Sequence, residues 1–97
     1  MTIDTTKLIM NLEDKSYKSG DKDLTLGMAV ANILAITNST DPIKSTVLAM
    51  SFYKEKEIEV SAEDIVFIKG IITTAAAKPD APYIPLIMGQ VLQSLEV

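Results

Sequence analysis

The chain has 97 residues, 47% of them hydrophobic and 23% charged, with 13 acidic and 9 basic side chains for a net charge of −4. It contains neither cysteine nor histidine, which removes disulfides, thiolate chemistry and the commonest metal ligand and general base. The lysines are scattered along the sequence, a pattern that argues against a phosphate-tracking surface and hence against direct nucleic-acid binding.

A chain of this length makes a single domain, 1–97, that buries roughly 60–68% of its unfolded surface. The apolar content argues against intrinsic disorder. No apolar run approaches 18 residues, and Met1 to Lys7 is polar and carries an acid. Neither a membrane span nor a signal peptide is therefore expected, which points to the cytoplasm.

In chain order, Lys7–Met10 and Ser16–Lys18 flank the polar turn Leu12-Glu13-Asp14-Lys15 and predict a small N-terminal β-hairpin. Ser19 to Asp23 reads as a loop. Asp21, Asp23 and Thr25 resemble the start of a calcium loop, but Leu26 stands where that loop needs glycine and Asn32 where it needs a bidentate glutamate, so a capping turn is expected instead.

Leu24 to Thr37 is the stretch around which the chain is organised. On a helix over 25–37 its Leu, Met, Val and Ile side chains point in every direction, so the rest of the chain, or a second copy, must surround it. Asn32 lies between Met28 and Ile36 and is expected to be buried, bonded to backbone or else fixing the register of an oligomer or contacting a ligand.

Asp41-Pro42 starts a second helix that runs to about Lys54. Ile43, Thr46, Val47, Ala49, Met50 and Tyr53 form one arc, the predicted core face, while Leu48 and Phe52 lie near the opposite side. Either a partner covers Leu48 and Phe52, or the hairpin or a loop does. Ile58-Glu59-Val60 alternates, and a third short strand at 58–60 can join the hairpin. Ser61-Ala62-Glu63-Asp64 is a capping box that starts a third helix. Ile65, Ile68, Ile71, Ile72 and Ala75 are its predicted buried face, with Val66 and Phe67 outside it. Lys69, at the edge of that face, is expected to lay its stem on apolar surface and send its ammonium to water.

The proline-rich connector Ala77 to Pro82 ends this helix, and a last one begins near Pro85. Its predicted inner side carries Ile84, Ile87, Met88, Val91, Leu92 and Leu95, and Gly89 can admit a close neighbour. Tyr53 and Tyr83 can offer ring and hydroxyl to a partner or lie at the core edge.

Catalytic chemistry is sparse. Capping explains the acids, the four glycines stand singly, and there is neither a phosphate loop nor a nucleophile elbow. No enzyme, cofactor or metal site is expected. Taken together, Leu12-Glu13-Asp14-Lys15, Asp23-Leu24-Thr25-Leu26-Gly27, Leu48-Ala49 with Tyr53, Ile58 to Asp64 with Ile68-Lys69, and Tyr83 to Gln90 resemble a family of short proteins encoded by tailed phages and prophages. The match runs in the same order over nearly the whole length, although the Leu-Glu-Asp-Lys turn departs from the family's Leu-Asp-Gly form. The resemblance implies a setting, the cytoplasm of an infected bacterium, and carries no catalytic residues.

The expected fold is α+β, a small hairpin packed on about four helices around the helix at 25–37. The expected function is non-catalytic: protein–protein binding as a homo-oligomer, with a phage or host protein as a further partner. The candidate contacts are Leu48, Phe52, Phe67 and Tyr83. The alternative is a small-ligand binder, such as a sink for a signalling nucleotide with its site between subunits, although the chain has no arginine to grip phosphate.

Overall fold

The computed structural model describes residues 2–95, apart from the side chain of Ser19. The architecture is α+β. The elements in order are β1 (Thr2–Asp4), β2 (Lys18–Ser19), β3 (Lys22–Asp23), α1 (Leu26–Ile36), α2 (Pro42–Lys54), β4 (Glu57–Glu59), α3 (Ala62–Ala76) and α4 (Pro85–Ser94). No described helix is long and apolar enough to cross a membrane.

Three helices start where the sequence supplies a cap. Thr25 Oγ1 accepts from the Met28 amide at 3.2 Å, Asp41 Oδ1 from Lys44 at 3.0 Å, and Ser61 Oγ from Asp64 at 3.1 Å. Each bond satisfies an amide that the helix itself leaves unpaired.

At α1 the satisfaction is complete. The Leu26 amide donates to the Lys7 carbonyl at 2.7 Å, Gly27 to Thr5 at 2.9 Å, and Ala29 to Thr25 at 3.0 Å. The segment after β1 is thus laid across the start of α1, which explains how a helix with seven of its eleven residues buried begins without exposing backbone. Gly27 makes that crossing possible: a Cβ there would meet the Phe52 carbonyl and lie 2.7 Å from Thr5 Cβ. The expected close approach at Gly89 is absent, for nothing lies within 4 Å of where its Cβ would be.

The β structure differs from the expected hairpin. Residues 8–10 divide their pairing between two segments. Ile9 donates to Leu24 at 3.0 Å and accepts from Tyr17 at 2.9 Å, with single bridges Met10↔Ser16 and Leu8↔Thr25. Divided in this way, they form no regular strand. The turn itself is present: Asp14 adopts φ 60, and Asn11 Oδ1 accepts from the Glu13 and Lys15 amides at 2.8 and 3.1 Å. Residues 19–23, expected as a loop, form with Lys18 the β2–β3 hairpin around Gly20 at φ +67. The strand expected at 58–60 is β4, and it pairs antiparallel with β1 rather than with the hairpin, in the register Thr2↔Glu59, Ile3↔Ile58, Asp4↔Glu57. Ile3 and Ile58 point inward and their neighbours outward, the period-2 alternation of a half-buried sheet.

The core joins both layers: Ile3, Ile9, Leu24 and Ile58 meet Ile33 and Leu34 of α1, Ile68 and Ile72 of α3, and Val91 and Leu95 at the α4 end. Gln90, on the polar side of α4, clips the hairpin to this core. Its Oε1 accepts from the Met10 amide at 3.0 Å and its Nε2 donates to the Met10 carbonyl.

Candidate functional site

Helix α2 carries two apolar arcs, and the fold buries the one with fewer large side chains. Ser45, Ala49 and Phe52 face inward, with Leu48 half-buried beside them. The cause lies in the fit to α1. Ser45 Oγ donates to the Leu34 carbonyl at 3.2 Å, Ala49 is small, and the Phe52 backbone reaches α1 at Gly27. That seats the helices closely and turns the other arc outward. Ile43 is 79% exposed, Val47 58%, Met50 49% and Tyr53 61%. The face expected in the core is therefore largely solvent-facing, with only Ala49 of that arc buried, and Phe52, expected as a partner contact, is 1% exposed and belongs to the core.

The outward stripe is large for a protein of this size. At roughly 150–250 Å² of surface per side chain of this kind, these four leave on the order of 500 Å² open to water, near the upper end for the largest patch on a monomer. Beside it a shallow groove of about 250 Å³ runs between the helices, lined by Ala31, Asn32 and Ala35 of α1 and Ala49, Met50, Tyr53 and Lys54 of α2. Asn32 is exposed rather than buried, and its amide donates to the Tyr83 hydroxyl at 2.8 Å. Asp41 marks one end of the stripe and Lys54 the other.

The remaining nominated residues do not gather on this face. Phe67 is half-buried, and Lys44 Nζ lies 4.8 Å above its ring while also pairing with Asp64 at 2.9 Å. The hydrogen bond that it donates to the Asp64 carboxylate holds the Lys44 ammonium above its usual pKa range. Leu48, one turn after Lys44, is half-buried and packed against the core. Tyr83 sits on the connector beside α1, half-buried. Helical periodicity shows Ile43, Val47 and Met50 as a stripe without saying which way it faces, because on the wheel a surface stripe and a core stripe look alike.

A cleft of about 620 Å³ lies along the proline-rich connector and the start of α4, walled by Pro79, Pro82, Tyr83, Pro85, Met88 and Leu92. Its volume suits a small ligand. Its polar side chains are Lys78 and Tyr83, and the latter's hydroxyl is held by Asn32. Elsewhere the carboxylates are engaged locally. Asp4 Oδ1 accepts from the Thr6 amide at 2.9 Å, and Asp23 accepts from Ser16 at 2.8 Å and from Lys18. These bonds hold both acids below the ordinary carboxylate range, through Thr6 for Asp4 and through Lys18 first, then Ser16, for Asp23. Among the described residues no cluster of three or more acids is placed to hold a metal ion.

The fold and this surface define an α+β domain with an exposed apolar helix face. Compared with known protein families, curated proteins and solved structures, the chain matches none of them.

Proposed function

We propose that the protein works by binding other protein rather than by catalysis, self-associating through the outward face of α2. The observation that carries this is the stripe Ile43, Val47, Met50 and Tyr53, four large side chains about half to four-fifths exposed on one helix. Water contact with this much apolar area is unfavourable by roughly 25 cal/mol per Å², and association is what removes it. The resemblance to short phage and prophage proteins supports a setting, the cytoplasm of a bacterial cell, where such binding would serve assembly or block a host factor.

Light scattering over a concentration series tests this. The native chain should rise from 10.5 kDa towards twice that mass. Val47→Asp should stay monomeric, because a carboxylate buried without a partner costs about 3 kcal/mol or more, roughly 100-fold in affinity. A native chain that remains monomeric at millimolar concentration would overturn the proposal. The competing ligand-binding function would use the cleft at Pro79 to Leu92, and a nucleotide panel separates the two. A ligand at 100 times its Kd would stabilise the fold by about 2.7 kcal/mol, readable as a thermal shift.

A further inference from the structure

Building on that proposal, we infer that the occupant of the α2 face is a second copy of this chain, paired antiparallel about a two-fold axis that passes between Val47 and Met50. Ile43 of each α2 then packs beside Tyr53 and Lys54 of the other. Three observations lead to this arrangement.

The first is spacing. Ile43, Val47, Met50 and Lys54 follow one another at four, three and four residues, a single stripe on the side of α2 opposite Ser45 and Phe52. A two-fold interface must be complementary to itself. Inverting the stripe about its midpoint carries Val47 onto Met50 and Ile43 onto Lys54, so apolar atoms meet apolar atoms at the centre and the lysine stem meets isoleucine at the rim.

The second is charge. Asp41, the exposed cap of α2, marks the N-terminal end, while at the C-terminal end Lys54 lies on the stripe itself, ahead of an exposed run in which Lys56 alternates with Glu55 and Glu57. The same inversion sets Asp41 against Lys56 of the other copy and opposes the two helix dipoles. Parallel pairing would instead set Asp41 on Asp41 and Lys54 on Lys54, with the dipoles aligned.

The third is area. Covering the whole exposed stripe on both copies removes on the order of 1,000 Å² from water in total, the size at which a specific interface begins.

The absence of cysteine makes the register directly measurable, since any single cysteine introduced is the only thiol in the chain. With a rise of about 1.5 Å per residue, the two copies of residue 50 are offset by about 4.5 Å along the helices and the two copies of residue 43 by about 16 Å. A disulfide needs Cα atoms within about 7 Å. Under mild oxidation Met50→Cys should therefore form a covalent dimer, Ile43→Cys alone should not, and Ile43→Cys mixed with Lys54→Cys should give the mixed dimer. Val66→Cys, exposed on α3, sets the rate of random collision.

Ile43→Cys joining to itself as readily as Met50→Cys would mean parallel pairing and would overturn the inference while leaving self-association standing. Met50→Cys reacting no faster than Val66→Cys, in a protein whose mass is still that of a dimer, would place the interface elsewhere. A monomeric mass would remove both the inference and the proposal beneath it.

Discussion

Replacing Gly27 with alanine probes the tightest crossing in the molecule, and the outcome can be worked out from distances. At an open position inside a helix the change favours folding by about 1 kcal/mol, because alanine loses less backbone entropy. Gly70 and Gly89 are such positions, with no heavy atom within 4 Å of the added Cβ, so G70A and G89A should each raise the melting temperature by several degrees. At Gly27 the new Cβ would meet the Phe52 carbonyl and lie 2.7 Å from Thr5 Cβ, where ordinary contact begins near 3.4 Å. Neither obstacle is a flexible side-chain tip. Helix α1 must therefore withdraw by at least about 0.7 Å from the segment after β1, and by more from the nearer Phe52 carbonyl. That overpacking costs roughly 1–3 kcal/mol, and it disturbs the hydrogen bond that the Gly27 amide donates to the Thr5 carbonyl at 2.9 Å and the one that the Thr5 hydroxyl donates to the Glu55 carbonyl, together worth about 1–2 kcal/mol. Net destabilisation is about 1–4 kcal/mol after the helix gain, a fall in melting temperature of roughly 5–20 °C for a domain of this size. Calorimetry on the three variants at low concentration, where association does not add to stability, makes the measurement. A G27A protein that melts at or above the native temperature would refute the close approach of α1 to Phe52 and Thr5.

Three further outcomes are expected. Gln90→Ala removes both hydrogen bonds to Met10 and should cost about 1–3 kcal/mol. Hydrogen exchange should show the Met10 amide and the hairpin losing protection while α1 keeps its own. Asp23 is held below the carboxylate range, so its contribution to stability is intact above its unfolded value of about 3.9 and is lost only as pH falls through the lower folded value. Carboxyl NMR should show it titrating below ordinary aspartates, and a midpoint at or above 4 would contradict the Lys18 and Ser16 contacts. Lys44 runs the opposite way: its contribution is intact below about 10.4 and fades as pH climbs through the raised folded value. Lys44→Met should therefore flatten the thermal stability of the native protein above pH 10, as read by circular dichroism.

What the sequence revealed and what it hid follow from how far each cause reaches along the chain. Asp41 with Pro42 and Ser61 fixed two helix starts, because a cap acts on amides two or three residues away, and for α1 the structure selects Thr25 over Asp23, the two caps open in the sequence. Helix α3 buries Ile65, Ile68, Ile71, Ile72 and Ala75 as its periodicity required, since it has only one strong apolar arc. Helix α2 has two, and the choice between them was made by α1 at Gly27 and Leu34, positions that no periodicity within α2 encodes. The β1–β4 pair was invisible for a similar reason: Ile3 and Ile58 select each other across 55 residues, and each segment alone is three residues long. Gln90 lies off the apolar side of α4, and only the arrival of Met10 makes it a clip.

The β1–β4 pairing also imposes an order of assembly on a growing chain. Thr2–Asp4 is made early, yet its partner Glu57–Glu59 follows some fifty residues later, a delay of about 3–11 s at a synthesis rate of roughly 5–20 residues per second. During that interval Ile3 has no sheet to join, and the carbonyls of Thr5 and Lys7 have only the start of α1 to receive. The α1–α2 pair, joined by a short connection, can form meanwhile on its own local contacts. The earliest segment would then be among the last to lock, closing over a helical pair already standing.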